Sequence, residues 1–344
     1  MRSLLGTLLL VAACGGSSSG QPGDDVVGGD DVQGQDAGDD GGGPGIDAGD
    51  GSDAGPGSDA GEVVISNCAA GTWCTEAAPA GVTAELRGVY AADANHVFAV
   101  GKGGVILLRT DAAWTSMTSG TTKDLNGVWA ASATDAWAVG AGGTVLHWNG
   151  TSWSASAGVV ASTTNTAIWG SSTTDVWVSC TAQMQHWNGT TWSTGNLSAT
   201  PNDLDGSSST DVWSGGDNTG VLHYAAGWTG SSPAATAPSG VGANVYSIEA
   251  MAANDVWACG AGCAHWNGTA WTTANTNLIS FAQMYGTATD RVFGVSQNDI
   301  GFWNGTSWSV TTPTGLTASL RSVTGAGPHT WTVGTGAAIL YHHD

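Results

Sequence analysis

An aromatic residue recurs seven times at nearly constant spacing, and this recurrence constrains the fold more than any other feature of the chain. The recurrent aromatics are Phe98, Trp137, Trp177, Trp213, Trp257, Phe293 and Trp331. Successive members are separated by 39, 40, 36, 44, 36 and 38 residues. A repeat of this length that contains several short strands is typical of a β-propeller blade.

The best-preserved unit, residues 125–153, reads as four short strands separated by turn residues. Its third strand ends in His-Trp, and an Asn-Gly turn leads to a last strand that begins with Trp. Asn-Gly between apolar strands predicts a tight hairpin in which both turn residues have positive φ. The Asn-Gly turns start at Asn149, Asn188, Asn267 and Asn304. An Asp recurs after the first strand, where we expect it to bind the backbone N–H groups of its own turn. Its positions are Asp135, Asp175, Asp211, Asp255 and Asp290.

The tryptophan that begins the last strand of each unit indicates how the ring closes. It occurs at Trp114, Trp153, Trp192, Trp228, Trp271 and Trp308. The seventh unit has no fourth strand, but Gly71-Thr72-Trp73 ahead of the first unit matches the missing segment. The sequence therefore predicts an all-β, seven-bladed propeller of four-stranded blades, in which an N-terminal strand completes the last blade and leaves no open edge.

The repeat resembles a known group of propeller sequences. HVFAVGKGGVILLRTDAAWTSM, residues 96–117, and its relatives are similar to the BNR or Asp-box repeats, especially in the branch that contains the photosystem II assembly factor of chloroplasts and cyanobacteria. The resemblance covers residues 71–344 and concerns the repeat, not an active site. The Asp-box turn is replaced here by Trp-Asn-Gly-Thr-Ser-Trp. Members include enzymes, lectins and assembly scaffolds, so the resemblance implies the fold and does not select a function.

The N-terminal region predicts export and lipid anchoring. The apolar run Leu4–Ala13 follows Arg2 and is too short to span a bilayer, as in a signal peptide. Val11-Ala12-Ala13-Cys14 resembles the lipobox of bacterial lipoproteins, which implies cleavage after residue 13 and lipid attachment to Cys14. Residues 14–62 are rich in Gly and Asp and predict a disordered linker, with the propeller in residues 63–344. In enteric bacteria an Asp after the lipidated Cys retains such a protein in the inner membrane. Gly15 stands at that position here, which favours the outer membrane, with the domain periplasmic or surface-exposed.

Charge and motifs exclude several functions. The chain has 28 acidic and 7 basic residues, and no Lys or Arg occurs between Lys123 and Arg291. Because a nucleic-acid-binding face needs clustered basic residues, nucleic acid is excluded as a partner. The His column at His147, His186, His223 and His265 spreads over successive blades, which is too far apart for one metal ion. We expect no metal and no cofactor, since no phosphate-binding loop or nucleophile motif is present.

Two acidic residues depart from the repeat. Asp205 and Glu249 occupy a first-strand position that is aromatic in other units, and they belong to adjacent blades. They are candidates for a general acid/base pair or for a ligand site beside the central channel. Trp129 and Trp169, at the same position, are candidate surfaces for stacking a flat ligand.

The remaining cysteines predict two disulfides in an oxidising compartment. Cys259 and Cys263 flank a hairpin, and Cys68 and Cys74 bracket the start of the closing strand. Cys180 is left over and is expected to be buried.

The function that these features favour is non-enzymatic binding of a protein or a glycan at one end of the ring, on a lipid-anchored envelope or cell-surface protein. The long insertion Thr229–Asn244 marks one edge where specificity could reside. Two alternatives remain open at this point. One is a carbohydrate-active enzyme, a glycosidase or lyase that uses Asp205 and Glu249. The other is a structural scaffold in envelope assembly.

Overall fold

The computed structural model describes residues 68–158, 164–181, 183–196, 200–218, 220–225, 238–274 and 280–344. Cys14, residues 14–62, Trp228 and residues 229–237 of the insertion lie outside this part of the chain. Among the described residues, no helix is long and apolar enough to cross a membrane.

The described residues form seven separate antiparallel sheets, which confirms the seven-bladed β-propeller. Blade 1 contains Leu86–Ala91, Val97–Gly101, Ile106–Thr110 and Ala113–Met117; blade 2 contains Leu125–Ser132, Asp135–Gly140, Thr144–Trp148 and Trp153–Ala155; blade 3 contains Asn165–Ser172, Asp175–Cys180, Gln183–Trp187 and Trp192–Asn196. Blade 4 has the described strands Pro201–Ser208, Asp211–Gly216 and Gly220–Tyr224; blade 5 contains Ser247–Ala252, Asp255–Cys259, Cys263–Trp266 and Trp271–Ala274; blade 6 contains Gln283–Ala288, Arg291–Ser296, Asp299–Trp303 and Trp308–Thr311. Within each of these six blades the first strand in sequence is innermost.

Blade 7 combines the two ends of the domain, as predicted. Its first three strands are Leu320–Ala326, His329–Gly334 and Ile339–His343, and its outermost strand is Trp73–Thr75. Trp73 pairs with His342 and Thr75 with Leu340. Two 3-10 turns, Lys102–Gly104 and Thr335–Ala337, form the middle hairpins of blades 1 and 7. The ring therefore closes through backbone hydrogen bonds between sequence-distant strands.

Aromatic pairs join neighbouring blades and explain most of the tryptophans. The recurrent aromatic of one blade meets the outermost-strand Trp of the next blade nearly at right angles, an arrangement that contributes about 0.5–1.5 kcal/mol per pair beyond the area buried. The pairs are Phe98–Trp153, Trp137–Trp192, Trp213–Trp271, Trp257–Trp308 and Phe293–Trp73, with centroids 6.1, 5.7, 6.0, 5.4 and 5.9 Å apart. Trp73 thus takes the place in blade 7 that the repeat assigns to it.

The recurrent Asp residues have a different role from the one expected. Four of them accept a hydrogen bond from the His of the third strand in the same blade, and that His stacks on the recurrent Trp. The Asp–His pairs are Asp135–His147, Asp175–His186, Asp211–His223 and Asp255–His265, at 3.1, 2.5, 2.7 and 2.6 Å. A serine binds the backbone of the turn instead. In blade 2, for example, Ser132 Oγ accepts the N–H of Thr134. The turn-making role predicted for these four Asp residues is therefore wrong.

The Asn-Gly turns also differ from the prediction. Gly150 has a positive φ of 85°, whereas Asn149 is not among the residues with positive φ. Trp148 pairs directly with Trp153, so the loop has the four residues 149–152, and Asn149 Oδ1 accepts the N–H groups of Thr151 and Ser152. The same arrangement occurs at Asn188, Asn267 and Asn304. The wider loop leaves room for an Asn side chain that caps the turn, which a two-residue primed turn lacks.

Candidate functional site: the central channel

One residue of each innermost strand lies directly opposite the recurrent aromatic, and these seven residues line the middle of the channel. They are Tyr90, Trp129, Trp169, Asp205, Glu249, Tyr285 and Thr324. The cavity that they surround measures about 270 Å³. The structure therefore brings all four weak ligand candidates, Trp129, Trp169, Asp205 and Glu249, to one cavity.

The aromatic members pack on the following blade. A Cβ added to Gly170 would lie 2.8 Å from Trp129, and a Cβ added to Gly206 would lie 2.8 Å from Trp169. Glycine at these positions lets each ring lie flat on the backbone of the next blade. Only 3% of Trp129 and 8% of Trp169 is exposed, so little ring surface is free to stack a ligand.

The polar members bind the next blade through hydrogen bonds instead. Asp205 Oδ2 accepts the N–H of Ala250 at 2.6 Å, and Glu249 Oε1 accepts the N–H of Gly286 at 2.8 Å. Thr324 Oγ1 accepts the N–H of Ala91 at 3.1 Å in the same way. Each carboxylate therefore has one oxygen committed to an inter-blade contact.

A third carboxyl group, missed by the sequence reasoning, lies beside these two. Asp203 Oδ2 accepts the N–H of Ile248 at 3.0 Å and the hydroxyl of Ser247 at 3.3 Å, and Asp203 lines the same cavity. Because residues i and i+2 of a strand share a face, the position of Asp203 two residues before Asp205 was the available indication. Ser322 of blade 7 lies two residues before Thr324, in the position equivalent to Asp203. It also makes an inter-blade contact, since its Oγ accepts the N–H of Val89.

The channel favours the protonated form of these acids. Burial, with a smaller contribution from the charge of Asp203, raises the pKa of Asp205 to about 8. Burial also raises the pKa of Asp203 to about 6 and, together with the charge of Asp205, raises that of Glu249 well above its ordinary value. The side chains touch the channel space but are surrounded by protein, and no Lys, Arg or His lines this cavity.

One mouth of the channel carries a polar rim, formed by the second residue of each innermost segment. The rim consists of Arg87, Asn126, Thr166, Asn202, Tyr246, Ala282 and Arg321 around a cavity of about 120 Å³. Tyr246 is 41% exposed and is the one exposed large hydrophobic side chain in the described ranges. Arg87 and Arg321 belong to blades 1 and 7, which adjoin in the ring. The rim therefore displays cationic, amide and aromatic groups together.

Most basic side chains of the domain gather at this rim, where each has an ionic or hydrogen-bond partner. Of the six Lys and Arg residues beyond residue 62, Arg109 is buried against Glu76 and Arg291 pairs with Asp344. The others, Arg87, Lys102, Lys123 and Arg321, lie at the rim or on the loops beside it. Lys102 and Arg321 contact Glu85 at 2.7 and 2.8 Å. Partial burial opposes it, but the hydrogen bond from Lys102 and the charge of Arg321 hold the pKa of Glu85 below its ordinary value.

The cysteines lie where pairing was expected. The sulfur atoms of Cys68 and Cys74 are bonded next to the closing strand, and those of Cys259 and Cys263 are bonded across the hairpin of blade 5. Cys180 is a buried free thiol. Within the described ranges, no group of three or more His, Cys, Asp or Glu residues could hold a metal ion.

The comparisons with known proteins define the class as a β-propeller. No protein family and no curated protein matches the sequence. The fold is similar to YCF48 bound to D1 peptide, with a TM-score of 0.66, 13% identity and coverage of 80% of this chain and 98% of that one. It is also similar to virginiamycin B lyase from Staphylococcus aureus (TM-score 0.67, 12% identity, 78% and 98% coverage) and to the WD40 β-propeller domain of Doa1 (0.66, 13%, 79% and 97%). At these identities the likeness establishes the fold alone.

Proposed function

We propose that this chain is a non-enzymatic binding module whose protein partner contacts the polar rim. The observation that carries the proposal is the rim itself, where Arg87 and Arg321 line the channel mouth of an acidic protein beside the exposed Tyr246. Tyr and Arg are the residue types that contribute most to protein interfaces. Among proteins of similar fold, YCF48 has been solved with a D1 peptide, which supports a protein partner.

The channel acids support binding over catalysis. Asp205 and Glu249 each hold a backbone N–H of the next blade, so their positions are explained by the integrity of the ring. A general acid must reach its substrate, and these carboxyls lie below the rim in a cavity of only about 270 Å³. The rival function is a carbohydrate-active lyase or glycosidase, and a lyase does occur among the similar folds.

We further propose that the domain is exported and lipid-anchored through Cys14 to the outer membrane, with residues 14–62 as a flexible linker. As a Gly-rich coil of this length, the linker would have a root-mean-square reach of roughly 35–40 Å. In this arrangement the linker would hold the propeller clear of the membrane surface. Cys14→Ser should move the protein from the detergent phase to the aqueous phase in a Triton X-114 partition. Equal partitioning of wild type and variant would contradict lipid anchoring.

The rim proposal is tested by charge reversal. Arg87→Glu with Arg321→Glu should abolish capture of a partner from solubilised envelopes, because like charges at an interface are repulsive. Thr173→Glu with Ser209→Glu is the matched control, since both residues are exposed in turns at the far end of the innermost strands. Recovery of the same partner by the Arg double variant would exclude the rim.

The enzyme alternative is tested at the channel. Asp205→Asn keeps an oxygen that can accept the Ala250 N–H and removes the acid. If a glycosidase or lyase activity of the wild type vanished in this variant while thermal unfolding stayed cooperative, the binding proposal would give way to catalysis.

A further inference from the structure

The junction between blades 6 and 7 departs from the packing of the other junctions. The last residue of the third strand before the outer hairpin is aromatic in five blades: Trp148, Trp187, Tyr224, Trp266 and Trp303. Where it is Trp, it packs against the recurrent aromatic of the preceding blade, as in Trp187–Trp137 at 5.8 Å and Trp303–Trp257 at 5.1 Å. In blade 7 this position is His342, which faces Phe293 at 5.8 Å.

Two smaller side chains at one junction leave space. His342 replaces a Trp and Phe293 replaces a Trp, and a cavity of about 540 Å³ lies beside them. This volume falls within the range of about 300–1,000 Å³ that is usual for small-molecule sites. At the junction of blades 7 and 1, by contrast, Arg109 occupies the equivalent position and stacks on Trp331 at 5.1 Å.

The walls of the cavity combine aromatic rings with hydroxyl groups. Trp73 and Phe302 are half-buried, so part of each ring faces the cavity, and Phe293 lies buried beneath them. The exposed Ser309 and Thr311 stand on the outermost strand of blade 6 and line the same wall as Phe302, to which Ser309 is paired. Aromatic rings beside short hydroxyl side chains suit a ligand that has both an apolar face and polar edges.

A buried polar atom at the cavity has no partner. His342 is 8% exposed and its Nδ1 makes no hydrogen bond in the protein. The nearest acidic oxygen, Oδ1 of Asp344, is 3.6 Å away, which is too long for a hydrogen bond. Burial, reinforced by the charge of Arg291, lowers the pKa of His342, so that the imidazole is neutral at neutral pH. Arg291 also pairs with the side chain of Asp344, which lines the cavity.

We propose that this cavity binds a neutral saccharide. The apolar face of a sugar ring would stack on Trp73 and Phe302. One sugar hydroxyl would donate a hydrogen bond to Nδ1 of His342, which has no partner in the protein, and another could donate to Asp344. Ser309 and Thr311 would meet the remaining hydroxyls. An anionic sugar is disfavoured because the acidic Asp344 lines the cavity and neither Lys nor Arg does. This site is separate from the rim, so either site can fail without the other.

The test uses the full chain in detergent with cellobiose, maltose and N,N′-diacetylchitobiose as probes, measured by saturation-transfer NMR and by tryptophan fluorescence. We expect at least one probe to bind with a Kd on the order of 1 mM. His342→Trp restores the residue type of the other blades and fills the cavity, so it should weaken binding at least about tenfold. Ser309→Trp places a large ring on the blade 6 wall of the cavity and should also weaken binding at least about tenfold.

Ser193→Trp is the matched control. Ser193 is exposed on the outermost strand of blade 3 and pairs with His186, just as Ser309 pairs with Phe302. This variant should bind the probe like the wild type. Absence of binding by all three sugars at about ten times the expected Kd would overturn the proposal. Equal binding by wild type and Ser309→Trp, or equal loss in Ser193→Trp, would overturn it too. If His342→Trp does not fold, Ser309→Trp alone decides.

Discussion

At the scale of single residues, two kinds of contact join the channel-lining residue of one blade to the backbone of the next. Where the channel-lining residue is a large ring, the next blade usually presents glycine, as Gly170 does to Trp129. Where the residue is Asp205, the next blade presents Ala250 and its N–H is bound by the carboxylate. Glu249 combines the two arrangements, since its carboxylate accepts the N–H of a glycine, Gly286.

The acids make the stability of the ring depend on pH. The pKa of Asp205 is about 8 in the folded chain, against about 4 when unfolded. Between these values the folded state binds more protons than the unfolded state, so stability falls as pH rises from about 4 to about 8. Asp205→Asn should raise the free energy of unfolding by about 1–3 kcal/mol at pH 8 and leave it unchanged near pH 4. Urea titrations at the two pH values measure this difference.

If the free energy of unfolding of Asp205→Asn changes between the two pH values as much as that of the wild type, Asp205 is ionised in the folded state and the prediction fails. Thr210→Asn, at an exposed turn in the same blade, serves as the control and should reproduce the wild-type pH dependence.

The glycine that faces a channel-lining ring should contribute measurably to the stability of the fold. Gly206→Ala would place a Cβ 2.8 Å from Trp169 and 2.6 Å from the carbonyl oxygen of Asp211. Because neither the ring nor the backbone can move away freely, we expect a loss of about 1–3 kcal/mol in thermal or urea unfolding. Gly315→Ala, which has open space around it but a positive φ, controls for a simple effect of backbone strain. A loss no larger than in that control would contradict tight contact.

At the scale of elements, the closing strand is secured by a buried ion pair as well as by its sheet. Glu76 follows this strand, and Arg109 of blade 1 contacts it through Nη2 at 3.1 Å, with the Arg109 side chain 2% exposed. Trp114 Nε1 donates to the same carboxylate at 2.6 Å. These contacts anchor the end of the closing strand of blade 7 to the outer strands of blade 1.

Removing one partner of this pair should weaken closure. Arg109→Met leaves a buried carboxylate without its cation and should cost about 3–5 kcal/mol in urea unfolding. Arg321→Met, which removes an exposed pair with Glu85, should cost no more than about 1 kcal/mol. Adding Glu76→Gln to Arg109→Met should recover part of the loss. Equal effects of the two single variants would argue against a special role for the buried pair.

At the scale of the whole molecule, the sequence divides into a region of low complexity and a compact ring. Limited proteolysis of the full chain should cut within residues 14–62 and leave a resistant fragment that contains residues 68–344. Mass spectrometry of that fragment without reduction should find Cys180 as its sole alkylated cysteine after denaturation. Rapid internal cleavage of the ring, or alkylation of all its cysteines, would contradict this organisation.

Much of the ring was predictable because its period is written in the sequence. The recurrent aromatic and the displaced Trp73 predicted blade number and closure correctly, since each depends on spacing alone. The shared position of Asp205 and Glu249 followed from the same register. The roles of Asp135 and its equivalents were not predictable from local turn chemistry, because their partner is a His ten or more residues away on another strand. The cavity beside His342 was missed because it arises from two substitutions that meet only across a blade junction.

The closing strand also sets an order in time. Trp73–Thr75 is made early during synthesis, whereas its partner Ile339–His343 is made last. Until the second arrives, Trp73–Thr75 has no strand to pair with and blade 7 is incomplete. The ribosome therefore releases an open arc of blades, and the circle can form only after the whole domain has emerged. Chaperones on that route would meet the exposed ends of the arc rather than a finished wheel.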